Sequence, residues 1–340
     1  MITLSYRLMT VTIKDVARAA GVSQATAARA LGGYGYASPA AVEAAGEAAR
    51  RLGYTPNGVA RALVSRATRT VGLVVGDIEN PFFAAAARGL ADALEGAGHT
   101  VLLANSDEDR AEEGRAIDAL RSHRVDGLVV ASVGRAADLN ALAAESPLVL
   151  LDRSIRGVHA DSVTVDNRAG ARQAVEHLVS LGHRRIGIVS DHPAIASSAE
   201  RLAGYRRALA GAGLPEDPEL VSIGGSTRED GHRAARALLD RDDRPTALFT
   251  SNNFMTYGAV LALRELGLSV PGDVALVGFD DLDWTILVDP PLTVVSQPVA
   301  ELGATAGRLL LGRIAGDESS PRRVRLPAHL IVRGSCGAAR

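Results

Sequence analysis

Between residues 70 and 300, short apolar runs alternate with longer stretches in which apolar side chains recur at helical spacing. The runs at 71–75, 100–104, 127–131, 148–151, 186–190, 247–250 and 274–278 are short and rich in Val, Leu and Ile, a pattern that predicts strands. The stretches 82–96, 169–181 and 254–266 predict amphipathic helices between them. Strand–helix units of about 30 residues predict parallel sheets wrapped by helices, with enough chain for two lobes. Ligands in such folds sit beyond the carboxyl ends of the strands. The residues there are Asp77, Phe82 and Phe83, then Asp152 and Arg153, Asn252 and Asn253, and Asp280 and Asp281.

The first 66 residues follow a different pattern. Thr12 and Asp15 are spaced as a capping box with Asp in the Glu position. Ile13, Val16, Ala17 and Ala20 then give one apolar helical face, and Gly21 supplies the left-handed turn that ends it. Ser23 is a good N-cap for a second helix over 24–31, and Ser38-Pro39 opens a third helix that Gly53 closes. Two short helices joined by a turn with a central Gly predict a helix-turn-helix, whose second helix enters the major groove by its N-terminal end. Gln24 and Ala25 then face base edges, with Arg29 one turn further on. Gln can pair with adenine, Arg with guanine, and Ala can touch a thymine methyl. Ser23 and Thr26 are placed for phosphates. Three small helices that serve only as a scaffold are the alternative on these residues alone.

Charge and composition narrow the choice. Residues 1–66 hold eight basic side chains against three acidic ones, whereas the whole chain has a net charge of −2. A basic module on an acidic body suits a polyanion at one end only. The single cysteine, Cys336, excludes an internal disulfide and a cysteine-based zinc site. The opening MITLSYRLM is too short for a signal peptide, and either Met1 or Met9 is a plausible start. No apolar run is long enough for a membrane helix. A cytoplasmic location is expected.

Residues 57–65 read NGVARALVS: Asn57 can cap a short helix that Gly58, Val59 and Val64 weaken. Ala60 and Leu63 are then either part of a plain tether or an apolar wedge for a minor groove.

The run VTIKDVARAAGVSQATAARAL, then ASP, then RRLGYTPNGVARAL resembles the headpiece and hinge of the lactose/galactose repressor (LacI/GalR) family of bacterial transcriptional regulators. The similarity extends from Val11 to Cys336 through VGDIENPFF, LVLLDR, DNRAGARQAVEHLVSLGHRRIGIVS, RLAGYRRAL, LGLSVPGDVALVGFDDLDW and PPLTVVSQP. The resemblance implies an α/β chain with a three-helix headpiece over 10–56 and a hinge helix and linker over 57–69. A two-lobed, doubly wound effector and dimerisation domain of the type I periplasmic-binding-protein kind follows over 70–336. Its N-lobe is expected at about 70–166 plus 298–326, and its C-lobe at about 167–297 plus 327–336. Operator contacts are expected from Thr12, Ser23, Gln24, Ala25, Thr26, Arg29, Tyr54, Asn57 and Ala60, with Leu63 as a minor-groove lever. Phe82 and Phe83 are expected to face the effector cleft. Asp77, Asp152, Arg153, Asn252, Asp280 and Gln297 are expected to supply polar contacts there, and Trp284 stacking surface.

The implied partners are a pseudopalindromic double-stranded operator, a small polar effector such as a carbohydrate, and a second copy of the chain. No cofactor or metal is implied. Departures from the family pattern are Ala27-Ala28 in place of Val-Ser, Gly32 in place of Asn, Asn253 in place of a frequent Asp, and no aromatic near Ser226. Ala199 stands where an arginine is expected, which argues against a carboxylated or phosphorylated effector. Catalysis draws no support, since the dinucleotide fingerprint, the phosphate loop and the nucleophile elbow are all missing.

Overall fold

The computed structural model describes residues 11–32, 35–54 and 67–337; the hinge candidates Asn57, Ala60 and Leu63 lie outside them. The chain divides into two units, Met1–Arg69 and Thr70–Arg340.

In the first unit, helices α1 (Ile13–Ala20), α2 (Gln24–Gly32) and α3 (Pro39–Leu52) form as the caps dictate. Asp15 accepts from both the backbone N–H and the hydroxyl of Thr12. Gly21 takes a φ of 65°, letting the Val22 N–H reach back to the Ala17 carbonyl. Ser38 Oγ accepts from the Ala41 N–H at the start of α3, and Gly53 turns left-handed at its end with φ 64°. Val16, Ala48 and Ala49 form the small core, with Val11, Ala20, Leu31, Leu52 and Tyr54 packed around it.

The second unit carries two six-stranded sheets. The first uses β1 (Thr70–Val75), β2 (Thr100–Asn105), β3 (Gly127–Val130), β4 (Leu148–Asp152), β5 (Asp161–Val165) and β11 (Arg323–Leu326). Their order is β11-β5-β4-β3-β1-β2, with every pairing parallel. The second uses β6 (Ile186–Ser190), β7 (Val221–Ile223), β8 (Ala247–Thr250), β9 (Ala275–Phe279), β10 (Thr293–Ser296) and β12 (His329–Ile331). Their order is β12-β10-β9-β8-β6-β7, and β12 alone runs antiparallel to its neighbour. The chain passes between the sheets after Val165, after Ser296 and after Leu326.

Helices α4 (Pro81–Glu95), α5 (Arg110–Ser122), α6 (Ala136–Glu145) and α11 (Val299–Ile314) cover the first sheet. Helices α7 (Asn167–Ser180), α8 (Ala196–Gly211), α9 (Arg228–Leu239) and α10 (Asn253–Glu265) cover the second. The central strands are apolar on both faces because helices cover both, so their sequences lack a two-residue alternation.

Two close helix contacts rest on glycine. A Cβ at Gly303 of α11 would lie 2.0 Å from the Ala86 carbonyl oxygen of α4, and one at Gly89 of α4 would lie 2.0 Å from the Ala300 carbonyl oxygen. In the second lobe a Cβ at Gly204 of α8 would lie 2.4 Å from the Arg168 carbonyl oxygen of α7. Gly303→Ala is therefore expected to force α4 and α11 apart and cost about 1–3 kcal/mol of stability in urea unfolding. An unchanged urea midpoint would show that these helices do not need so close an approach.

Candidate functional site

The headpiece presents its recognition surface on α2. Ala27 is fully buried and anchors the helix, leaving Gln24, Ala25 and Arg29 exposed together. Ser23 Oγ accepts from the Thr26 N–H at 3.1 Å and bonds the Thr26 hydroxyl at 2.8 Å, which pins the first turn of the helix. The Thr12 hydroxyl is engaged by Asp15, and Tyr54 is half-buried against the small core.

The second site lies between the lobes, where strands of both sheets end. Phe82, Asp152, Arg153, Asp191, Ile195, Ser197, Ser198, Arg201, Asn252, Asp280 and Gln297 line one cavity of about 40 Å³. Small-molecule pockets commonly have roughly 300 Å³ or more, so this space by itself is small for a ligand. A larger recess of about 370 Å³ shares Phe82, Asp280 and Gln297 and opens beside α11. Another recess, about 510 Å³, lies elsewhere, between α10 and the Leu287–Leu292 segment. It is lined mainly by aliphatic side chains and lacks a convergent polar set.

The local sequence explains how each side chain reaches the cleft. Asp152 ends β4 at φ 66°, and Asp280 follows β9 at φ 80°, a region that Asp tolerates better than most side chains. Asp280 Oδ1 accepts from Gln297 Nε2, and its Oδ2 accepts from the backbone N–H and the side-chain amide of Asn253, each at 3.0 Å. The same Asn253 amide donates across the cleft to Asn80 Oδ1 at 2.9 Å. Asn252 caps α10 through its Oδ1 and donates to Asp191 Oδ2 at 3.1 Å. Arg153 donates to both carboxylate oxygens of Glu108 at 2.5 Å, and its Nε donates to Asp152 at 3.2 Å. Gln297 lies on the second crossover, and its Oε1 is buried without a hydrogen-bond partner.

Burial pushes the Asp152 carboxyl above the usual carboxylate range, against the opposing pull of Arg153 and Arg201. Asp191 is pushed up for the same reason, although the His192 N–H and Ser226 hydroxyl favour its charge. Burial also opposes charge on Arg153, but Glu108 outweighs it and holds the guanidinium firmly protonated.

The expected effector residues do not all meet here. Asp152, Arg153, Asn252, Asp280, Gln297 and Phe82 line the cavity. Phe83 is buried in the core below Phe82, edge-on to it at 5.2 Å, because adjacent helix positions point about 100° apart. Asp77 does not line the cavity; its Oδ1 accepts from the Glu79 N–H and closes a turn. Trp284 packs edge-to-face on Tyr257 at 5.9 Å, away from the cleft, because its 3₁₀ turn folds back onto α10.

Ala199 itself brings no cation to the cleft. Arg201, the first residue of RLAGY, reaches the cleft instead: its Nε donates to Asn167 Oδ1 and its Nη1 to the Ser251 carbonyl, both at 2.7 Å. Its guanidinium lies 3.9 Å above the Phe279 ring. Tyr205 of the same motif bonds the Ile186 carbonyl at 2.8 Å, which locks α8 to β6 and aims Arg201 inward. Ser197, Ser198 and Arg201 were missed because helical periodicity says nothing about which polar residue turns toward a cleft, whereas Asp191, directly after β6, was open to the strand-end rule.

Comparisons with known proteins bear on both sites. Residues 12–57 match the model of bacterial regulatory proteins of the lacI family. Residues 68–334 match the model of periplasmic binding proteins and the sugar binding domain of the LacI family. A helix-turn-helix module followed by a two-lobed ligand-binding domain defines an effector-controlled, DNA-binding transcriptional regulator.

The chain belongs to the LacI family of such regulators. It is 38% identical over 334 residues to the HTH-type transcriptional regulator CelR of Thermobifida fusca, covering 95% of this chain and 98% of that one. It is 37% identical to GalR of Escherichia coli K12, covering 95% of this chain and 94% of GalR. Among solved structures, the CelR–cellobiose complex matches with a TM-score of 0.73 at 37% identity, covering 96% of this chain and 99% of that one. The lac repressor dimer bound to operator and the anti-inducer ONPF matches with a TM-score of 0.84 at 27% identity, again covering 96% and 99%.

The raised pKa of Asp152 has a stability consequence. Its folded-state value exceeds the unfolded one, so the contribution is fully present below pH 3.8 and is lost as pH rises through the folded value. Asp152→Asn, which keeps the shape and tolerates the positive φ, is expected to raise the melting temperature of the ligand-free protein at pH 7. The difference should shrink toward pH 4. A variant less stable at pH 7 would show that the charge is repaid by its surroundings.

Proposed function

We propose that this chain is a transcriptional repressor that binds a pseudopalindromic operator as a homodimer and responds to a polyhydroxylated effector, a sugar or sugar derivative. The observation that carries the effector reading is the buried, unpartnered Gln297 Oε1 on the wall of a cleft whose other walls hold Asp152, Asp191, Asp280 and Asn252. A buried acceptor without a donor costs free energy, and a ligand hydroxyl would satisfy it. The cellobiose complex of CelR, a relative that aligns over nearly the whole chain, supports the same class of ligand.

Binding is proposed to alter the separation of the lobes, and through the hinge the grip on DNA, without chemical turnover. Operator reading is assigned to Gln24, Ala25 and Arg29, with phosphate contacts from Ser23 and Thr26. A recognition helix of nine residues reads few bases, which favours paired headpieces on two half-sites. The lac repressor dimer on its operator supports that arrangement. Ile286 and Leu287 on the C-lobe, with Leu102 and Leu103 on edge strand β2, are exposed apolar groups that a second copy would cover. Among the described residues, no helix is long and apolar enough to cross a membrane.

Binding-site selection from random DNA tests the proposal. The wild-type chain is expected to return a two-fold motif. Arg29→Ala is expected to lose about 1–3 kcal/mol on that site and to relax preference at one base pair per half-site. Recovery of the same motif with undiminished affinity would remove Arg29 from base reading.

A further inference from the structure

The cleft is unbalanced in its hydrogen-bonding groups. Many of its donors are already tied to the protein, Arg153 to Glu108 and Asp152, and Arg201 through Nε and Nη1 to Asn167 and the Ser251 carbonyl, which leaves Arg201 Nη2 and the Ser198 hydroxyl as donors. The Asn252 amide is given to Asp191 and the Gln297 amide to Asp280. Among the described residues, the fully buried side-chain atom of the cleft without a partner is an acceptor, Gln297 Oε1. A ligand rich in N–H and O–H groups would satisfy that acceptor.

Charge points the same way. Asp152, Asp191 and Asp280 line the cavity, with Glu108 behind Arg153, so four carboxylates face only Arg153 and Arg201. The bidentate Glu108 pairing neutralises Arg153 and leaves Asp152 with little of that guanidinium. Of the three lining carboxylates, Asp152 has the poorest partners, with a bond of 3.2 Å from Arg153 Nε and one of 3.4 Å from the Ser197 hydroxyl. Asp191 accepts from the His192 N–H, Ser226 and Asn252, and Asp280 from Gln297 and twice from Asn253. Asp152 is only 5% exposed, so water does little to compensate for its charge. A buried carboxylate in such surroundings is stabilised most by a cation that binds with it.

We infer that the effector is an amino sugar: a polyol whose protonated amine sits against Asp152 and whose hydroxyl donates to Gln297 Oε1. This rests on the effector reading above and narrows it from polyols in general to cationic ones. Closure of the lobes then brings a positive charge into a cleft that otherwise buries an excess of negative charge.

The test uses the full-length chain with D-glucosamine, D-galactosamine, D-mannosamine and chitobiose (the glucosamine disaccharide), each against its neutral parent sugar and against gluconate. Calorimetry and thermal shift are read at pH 6.5, where a sugar amine is charged. At least one amine is expected to bind tenfold or more tightly than its neutral parent. That preference should fall on the wild-type protein as pH rises through the amine's own pKa, with gluconate the weakest ligand. Asp152→Asn, checked for folding by its melting curve, should reduce the amine preference to threefold or less. If a neutral parent binds as tightly as its amine, or gluconate binds best, the amino-sugar assignment is overturned while the polyol reading survives the former. If no sugar in the panel raises the melting temperature or gives a binding isotherm, both fail, and operator binding by the headpiece is left as a separate question.

Discussion

Carboxylates at the ends of two facing sheets must be buried whenever the lobes approach. Asp152 leaves the first sheet, Asp191 and Asp280 leave the second, and all three line a cavity small for a ligand. Burial acts on such groups with a penalty that only partners can offset. Asp280 has those partners within the protein, in Asn253 and Gln297. Asp152 largely lacks them, which is why burial dominates its titration. Asp161, away from the cleft, shows the contrast. Burial resists its charge too, yet Arg313 and the Arg322 N–H hold its carboxyl below the ordinary range.

This difference between satisfied and unsatisfied charge links the fold to control. In the proposed reading, a ligand that completes the cleft favours closure by stabilising groups from both lobes at once. Asn253 joins Asp280 to Asn80, the residue that caps α4 in the other lobe, so the binding wall and the opposite lobe share one hydrogen-bonded path. Three crossovers join the lobes, and Gln297 lies on one of them. A ligand can shift such an equilibrium only by its difference in affinity for the two arrangements.

Much of the architecture was legible in the sequence because its signals are local. Thr12, Gly21, Ser38, Pro39 and Gly53 mark helix ends by chemistry that acts within four residues, and the structure has its caps there. The seven continuous apolar runs correspond to strands β1–β4, β6, β8 and β9. Strands β5, β7 and β10–β12 were not expected, for physical reasons that differ. In β5, DSVTV, Asp161 and Ser162 are buried but satisfied by Arg313 and by backbone groups from the distant 322–326 segment. The strands β7, β11 and β12 are very short and interrupted by Ser, Arg or His, so they lack the apolar continuity of the longer strands. The cleft was legible only in part. Strand-end geometry found Asp152, Asn252 and Asp280, but the path of α8 that brings in Arg201 depends on Gly204 packing and the Tyr205 bond. Trp284 looked available because an aromatic near a strand end cannot be assigned from sequence to the cleft or to the outer face.

The central claim is that one equilibrium between lobe arrangements serves both the cleft and the operator. Its most direct test is the dissociation constant of a cleft-binding sugar, chosen as the one with the largest thermal shift, measured on the free protein and on protein saturated with its selected operator. Linkage requires that operator change the sugar affinity by the same factor by which sugar changes the operator affinity, within the range of about 5–150-fold usual for such couplings. Equal sugar affinity for the free and operator-bound protein would contradict the account, because the two sites would then be independent.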